Sequence, residues 1–280
     1  MIRATASGFS ASVGGLAIYL DNWALIDLAK HARSRRKRFI RALRTGKADL
    51  MFSVTNAAEI TGPQGKSREA VRAFLDAIGL HWFPVELAAD TVVRREQNGL
   101  DPAKCCISED FLKHYWAVRT RANQSISRKV EVFHLGAILD WLGPQRESIR
   151  ETSAKLGNAL IERINGYRVE YEQNRMWLDR QFPVSHFNRF RPATFAYNNL
   201  IRMLVLESKS RPLEENDGLD FCHAVIGSAY SSFATLDTKW KRRVESLPKP
   251  HGLAQIYGPQ RLDQMVTDIE LTLKQVAAAG

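Results

Sequence analysis

The residues able to do chemistry here are acids that follow short apolar runs. Leu16-Ala17-Ile18-Tyr19-Leu20 closes on Asp21, and Phe233-Ala234-Thr235-Leu236 closes on Asp237. Both runs are too short for helices and fit buried strands, each handing over to a carboxylate. Glu59 falls in the first turn or so of a helix that starts near Thr55, just after Leu50-Met51-Phe52-Ser53-Val54. Asp217 and Asp220 stand one turn apart at the start of a helix rich in small residues (Ala224, Gly227, Ser228, Ala229). Asp217 is there either as a ligand or as a cap for free backbone N–H groups. Acids that converge on one cleft repel one another, and without a cation some must keep a proton. A divalent cation removes that conflict. All-oxygen donors, with no His or Cys at ligand spacing, favour Mg²⁺ or Mn²⁺ over zinc. One or two such ions can activate a water and stabilise the leaving oxygen of a phosphodiester.

The elements that must position these acids read in the order strand, helix, strand, helix, helix, strand, helical insertion, helix, strand, helix. That alternation predicts an α/β fold, three layers α/β/α around a mostly parallel sheet, with Asp21, Glu59, Asp220 and Asp237 at one edge. The predicted division is a first half at 1–86, a helical insertion at 87–211, and a second half with a C-terminal helix at 212–280. Residues 1–15 read as a loose arm. One amphipathic helix is expected over 22–45. Within the insertion, helices are expected over 109–121, 130–142, 147–180 and 194–209.

Charge points to the partner. Forty Lys and Arg against thirty Asp and Glu leave a net +10, which suits a polyanion such as nucleic acid. Arg33, Lys37, Arg41 and Arg44 share a stripe at helical spacing, and Lys239 and Lys241 follow Asp237. These six are the candidate nucleic-acid contacts. His186-Phe187-Asn188-Arg189-Phe190-Arg191 also mixes aromatics with cations. Three cysteines, Cys105, Cys106 and Cys222, offer no disulfide framework. No stretch reaches the ~18 apolar residues of a membrane span. A reducing cytoplasmic location, off the membrane, is expected.

Taken together, Leu20-Asp21-Asn22, Ser53 to Glu59, Asp217 to Ala224 and Ala234 to Trp240 resemble the PIN-domain nucleases. The resemblance covers roughly residues 15–85 and 212–247. It implies a PIN-like sheet, with Asp21, Glu59, Asp220 and Asp237 as catalytic metal ligands in that order and Asp217 as an extra acid. It implies that Thr235 supports the last Asp; Asn22, where the family has a small hydroxyl residue, is expected to support Asp21 from beside it and not to act in catalysis. It further implies an endoribonuclease acting on RNA more than DNA, the toxin of a toxin–antitoxin pair checked by an antitoxin or other regulatory protein, and homodimer formation. The insertion is much longer than in compact toxin-type members, and Asn22-Trp23 replace the commoner small hydroxyl residue. The alternative expectation is a non-catalytic PIN-like module that binds nucleic acid.

Overall fold

Apolar runs become the centre of a parallel sheet because such strands are covered on both faces. The computed structural model describes residues 2–5, 8–11, 15–31, 33–46, 48–62, 65–114, 135–207 and 212–279. The strands are β1 (Ile2–Thr5), β2 (Gly8–Ala11), β3 (Leu16–Tyr19), β4 (Ala48–Ser53), β5 (Trp82–Val85), β6 (Phe233–Thr235) and β7 (Gln255–Tyr257). The last five form one sheet, ordered β5-β4-β3-β6-β7, and every pairing in it is parallel. All of β4, β5 and β6 is buried. Helices pack around this sheet, so the fold is mixed α/β. Strands are laid down outward from β3 to β5, and then the order reverses to β6 and β7. In open α/β sheets that reversal opens a crevice beyond the carboxyl ends of the strands. Here it lies between β3 and β6.

Several local expectations are revised. β1 and β2 pair antiparallel, so the amino-terminal stretch is in part a hairpin and not a loose arm. The helix expected over 22–45 is two, Asn22–Lys30 and Arg33–Gly46, broken at His31. The second helix turns to meet the C-terminal helix Leu262–Ala279. Arg35 there pairs with Asp27 and Asp263, and Arg38 with Glu270. Two cations of this helix, Arg35 and Arg38, therefore find acids some 230 residues away by chain (|i−j| = 228 and 232). Exposed pairs of this kind stabilise by only ~0–1 kcal/mol each, and they set orientation more than stability.

The insertion carries the helices Ala89–Gln97, Pro102–Cys105, Ala137–Leu142, Arg146–Gln173, Arg175–Gln181 and Pro192–Leu206. The break between the two middle helices is Asn174, whose side chain accepts from Met176 N–H and restarts the helix. The helix expected over 109–121 and the one over 130–142 fall partly outside the described residues, as does the end of the one over 194–209. Leu160, Ile164, Leu178, Phe195 and Leu200 belong to the same buried cluster as Ile18, Phe52 and Ala234. Buried Glu96 ties the insertion down. It accepts from the Ala193 and Thr194 N–H groups at the start of one helix and from the Tyr230 hydroxyl at the end of another. A carboxylate at a helix N-terminus faces free N–H groups and the favourable end of the dipole. Among the described residues, no helix is long and apolar enough to cross a membrane.

Candidate functional site

Asp21 and Asp237 close two neighbouring parallel strands, with Tyr19 opposite Ala234. Each stays in extended backbone and caps the helix that follows. Asp21 accepts at Oδ1 from Asn22 N–H at 2.8 Å, and Asp237 accepts at Oδ1 from Trp240 N–H at 2.7 Å. Two strand ends thus deliver two half-buried carboxylates to the reversal crevice. Thr235 is fully buried, and its Oγ1 accepts from Asp21 N–H at 2.8 Å. The hydroxyl expected to support the last Asp therefore holds the first one. In a parallel pair the residue opposite lies on the neighbouring strand, which makes that reach natural.

Glu59 comes from the helix Val54–Ile60. Ser53 and Asn56 open it with a reciprocal cap: Asn56 N–H donates to Ser53 Oγ, and Ser53 N–H to Asn56 Oδ1. Asn56 Nδ2 then donates to Asn22 Oδ1 at 3.1 Å, so Asn22 joins the first βα unit to the second. Asp220 sits in the first turn of the helix Asp217–Tyr230. These acids feel one another. Burial first, then Asp237, lifts Asp21 to about 6, against the pull of the Asn22 N–H. Burial, then Asp21 and Asp220, lifts Glu59 to about 7, with Arg150 opposing. Burial, then Asp21, Asp237 and Asp217, lifts Asp220 to about 7, with Lys239 opposing. The sharing is one of field and not of coordination geometry. Among the described residues no group of three or more His, Cys, Asp or Glu is arranged to hold a metal ion. Donor chemistry and charge fit a divalent cation; a ready-made cage is not formed.

Asp217 stands apart. It is buried, accepts at Oδ2 from Glu214 N–H at 2.8 Å, and at Oδ1 from Lys239 Nζ at 2.6 Å. It pins the loop ahead of the helix and neutralises Lys239, and Asn216 is the residue at the N-cap. Lys241 is likewise engaged, by Glu245. Of the six candidate cations, Arg33, Lys37, Arg41 and Arg44 are exposed. Their helix runs down to the amino end of β4, which starts at Ala48, so Arg44 lies at the end of the sheet opposite the acids.

The insertion reaches the acidic edge. The helix Arg146–Gln173 packs on the helices carrying Glu59 and Asp220. Gly157 and Gly218 make the closest approach: a Cβ on Gly218 would stand 2.1 Å from the Gly157 carbonyl oxygen. Beside this contact is a cleft of about 390 Å³ lined by Thr55, Glu59, Arg150, Glu151, Ser153 and Asn216 among others. Gly218→Ala is expected to cost about 3 kcal/mol, because backbone cannot yield as a side chain can. Thermal unfolding measures it, and an unchanged Tm would show that the helices can part freely.

Tyr19 and His223 form a buried hydrogen-bonded pair one layer below Asp21. Burial, then Asp21, pushes the Tyr19 phenol well above its usual range, and burial lowers His223 to about 4. Gly227 makes room for the ring, since a Cβ there would lie 2.6 Å from Tyr19 Cδ1. The spacing of Asp220 and His223 on one helix face was the available signal for this layer. Trp23 adds a buried indole N–H with no partner within hydrogen-bond distance among the described residues, near enough to Asp21 to favour its charged form. No protein-family model, no curated protein and no solved structure matches the chain.

Proposed function

We propose that this chain is a divalent-metal-dependent nuclease that hydrolyses phosphodiester bonds, with a three-layer PIN-like architecture. The carrying observation is the arrival of Asp21 and Asp237 side by side at the sheet reversal, with Asp220 and Glu59 raised first by burial and then by the neighbouring acids. Asp21, Glu59, Asp220 and Asp237 would hold Mg²⁺ or Mn²⁺. When bound, the ion supplies charge neutralisation and activation of water for phosphodiester hydrolysis. The protein's own part is positional. Thr235 and the Asn22–Asn56 bond fix the Asp21 backbone and its neighbour. The two caps hold Asp21 and Asp237 by one oxygen each. Arg150, which lines the cleft with Glu59 and whose charge acts on it, would meet a substrate phosphate. Asp217 acts through Lys239, holding the start of the Asp220 helix.

RNA over DNA, an endonucleolytic mode, and restraint by an antitoxin or other regulatory protein all come from the resemblance to PIN-domain nucleases. The net charge of +10 supports a nucleic-acid partner of either kind. One observation favours the second reading, a non-catalytic PIN-like binding module: the described carboxylates share a field without forming a cation cage.

The test is cleavage of mixed cellular RNA and of single-stranded DNA with Mn²⁺, with Mg²⁺, and with EDTA. Cation-dependent cleavage is the expected result. Binding without cleavage under every condition would replace the nuclease by the binding module.

A further inference from the structure

We propose that the turn at 186–191 and the adjoining loop at 249–252 form a separate contact for single-stranded nucleic acid, in which a base stacks on Phe190 and phosphates meet Arg189, Arg191 and Lys249. The turn is built by Asn188. Its Oδ1 accepts from Phe190 N–H and its carbonyl from Arg191 N–H, both at 2.9 Å. The backbone so pinned leaves Arg189, Phe190 and Arg191 all exposed. Phe190 is 55% exposed, and the Arg189 guanidinium lies 4.7 Å from its ring centre. An aromatic face next to a cation is the unit on which unpaired bases stack.

Phe187, three residues earlier, points inward and joins the two loops. It rests on Gly252, where a Cβ would come within 2.9 Å of its ring, and it meets Phe195 edge-on at 5.5 Å. Phe195 in turn touches the His251 ring at 6.1 Å. Beyond lies a cleft of about 200 Å³ whose lining includes Lys249, His251, Tyr257, Arg261 and Gln264. Both His251 ring nitrogens are buried with no hydrogen-bond partner among the described residues. Lys249 and Arg261 are exposed, and the acid of the cleft, Glu245, is already held by Lys241. Among the described residues, Arg189, Arg191, Lys249 and Arg261 make no ion pair, and Arg189 flanks the exposed Phe190. An acidic peptide would satisfy the charge but not the ring face.

The loop leads into the start of β7, so this surface lies toward the amino end of the sheet, away from the carboxylates. If the nuclease reading holds, a strand that touches both must run several unpaired nucleotides along the protein. The contact itself does not depend on that reading.

Fluorescence anisotropy of a labelled oligouridylate of about 20 nucleotides, in EDTA, tests the contact directly. Phe190→Ala is expected to weaken binding about 10-fold, and Phe190→Trp to restore it, as base–aromatic stacking requires. Arg189→Gln with Arg191→Gln and Lys249→Gln should weaken binding and flatten its salt dependence. A duplex of equal length should be insensitive to Phe190→Ala. The proposal is overturned if the wild type does not bind the oligouridylate. It is overturned equally if Phe190→Ala binds within twofold of wild type, or if the duplex loses as much as the single strand. All the substituted side chains are exposed, and matching near-UV circular dichroism confirms the fold. Because no cation is present, absence of cleavage elsewhere leaves this measurement intact.

Discussion

Asp237→Asn is expected to lower phosphodiester cleavage by about 10³-fold or more while leaving Tm within a few degrees of wild type. The magnitude follows from the several kcal/mol that a correctly held cation contributes to charge stabilisation, at 1.36 kcal/mol per tenfold in rate. The choice of Asn is decided by the structure. Asp237 also caps the helix Thr238–Glu245 through Trp240 N–H, and Asn caps as well as Asp does. The substitution removes the charge and keeps the cap. Asp237→Ala would mix the two and cost about 1 kcal/mol of helix stability on its own. Asp21→Asn is matched in the same way, because Asp21 caps the helix Asn22–Lys30. The readout is a time course of RNA and DNA degradation with Mn²⁺, beside circular dichroism of each variant. Full activity in either variant would remove that residue from the site, and full activity in both would end the nuclease assignment.

Asp220→Asn is expected to stabilise the cation-free protein at pH 7.5. Asp220 titrates at about 7 in the fold, pushed up first by burial and then by Asp21, Asp237 and Asp217. The sign follows from linkage: when folding raises a carboxyl pKa, the folded state binds more protons between the two values, and stability falls as pH rises through them. The contribution is present below about pH 4 and lost by about pH 7. A shift of about three units corresponds to at most ~4 kcal/mol. Asp220 is only half-buried and shares its repulsion with Asp21 and Glu59, so about 2 kcal/mol is the realistic gain. The gain should vanish near pH 4, where the wild-type carboxyl is protonated. Mn²⁺ should raise the wild-type Tm at pH 7.5, by about 2.7 kcal/mol of stability at a hundred times its Kd, and raise that of Asp220→Asn much less. Calorimetric scans at pH 4.5 and 7.5, with EDTA or Mn²⁺, measure all of this. Loss of stability in Asp220→Asn at pH 7.5, or a wild-type Tm indifferent to Mn²⁺, would mean that these acids are structural and hold no cation.

The two results separate the readings. A nuclease site predicts activity lost and stability gained from neutralising one of these acids, the usual trade at a strained charged site. A binding module predicts the stability gain without any activity to lose.

Much of this edge was legible from residues alone. Short apolar runs ending in Asp21 and Asp237, and the small-residue helix behind Asp220, obey local rules: a buried strand must be apolar, and a carboxylate at its end must cap, pair or bind. The parallel sheet followed from the alternation of elements. What could not be read lies in contacts between distant segments. Thr235 reaches Asp21 across two strands, and Asn22 meets Asn56 across two βα units. Lys239 is taken by Asp217, and Arg35 and Arg38 by the C-terminal helix. Periodicity places a residue on a face but says nothing about what that face will meet.

The acidic helix start and the strand ending in Asp237 were set by the chain's own pattern, because hydrophobic run length and capping act within a few residues. Tertiary structure alone decided that Asp217 is neutralised by Lys239, that Asp220 and Glu59 titrate near 7, and that the insertion lies against both of their helices at Gly157 and Gly218. The reason is physical. Charge–charge energies and desolvation depend on separations in space, and those separations exist only once β3 and β6 have paired.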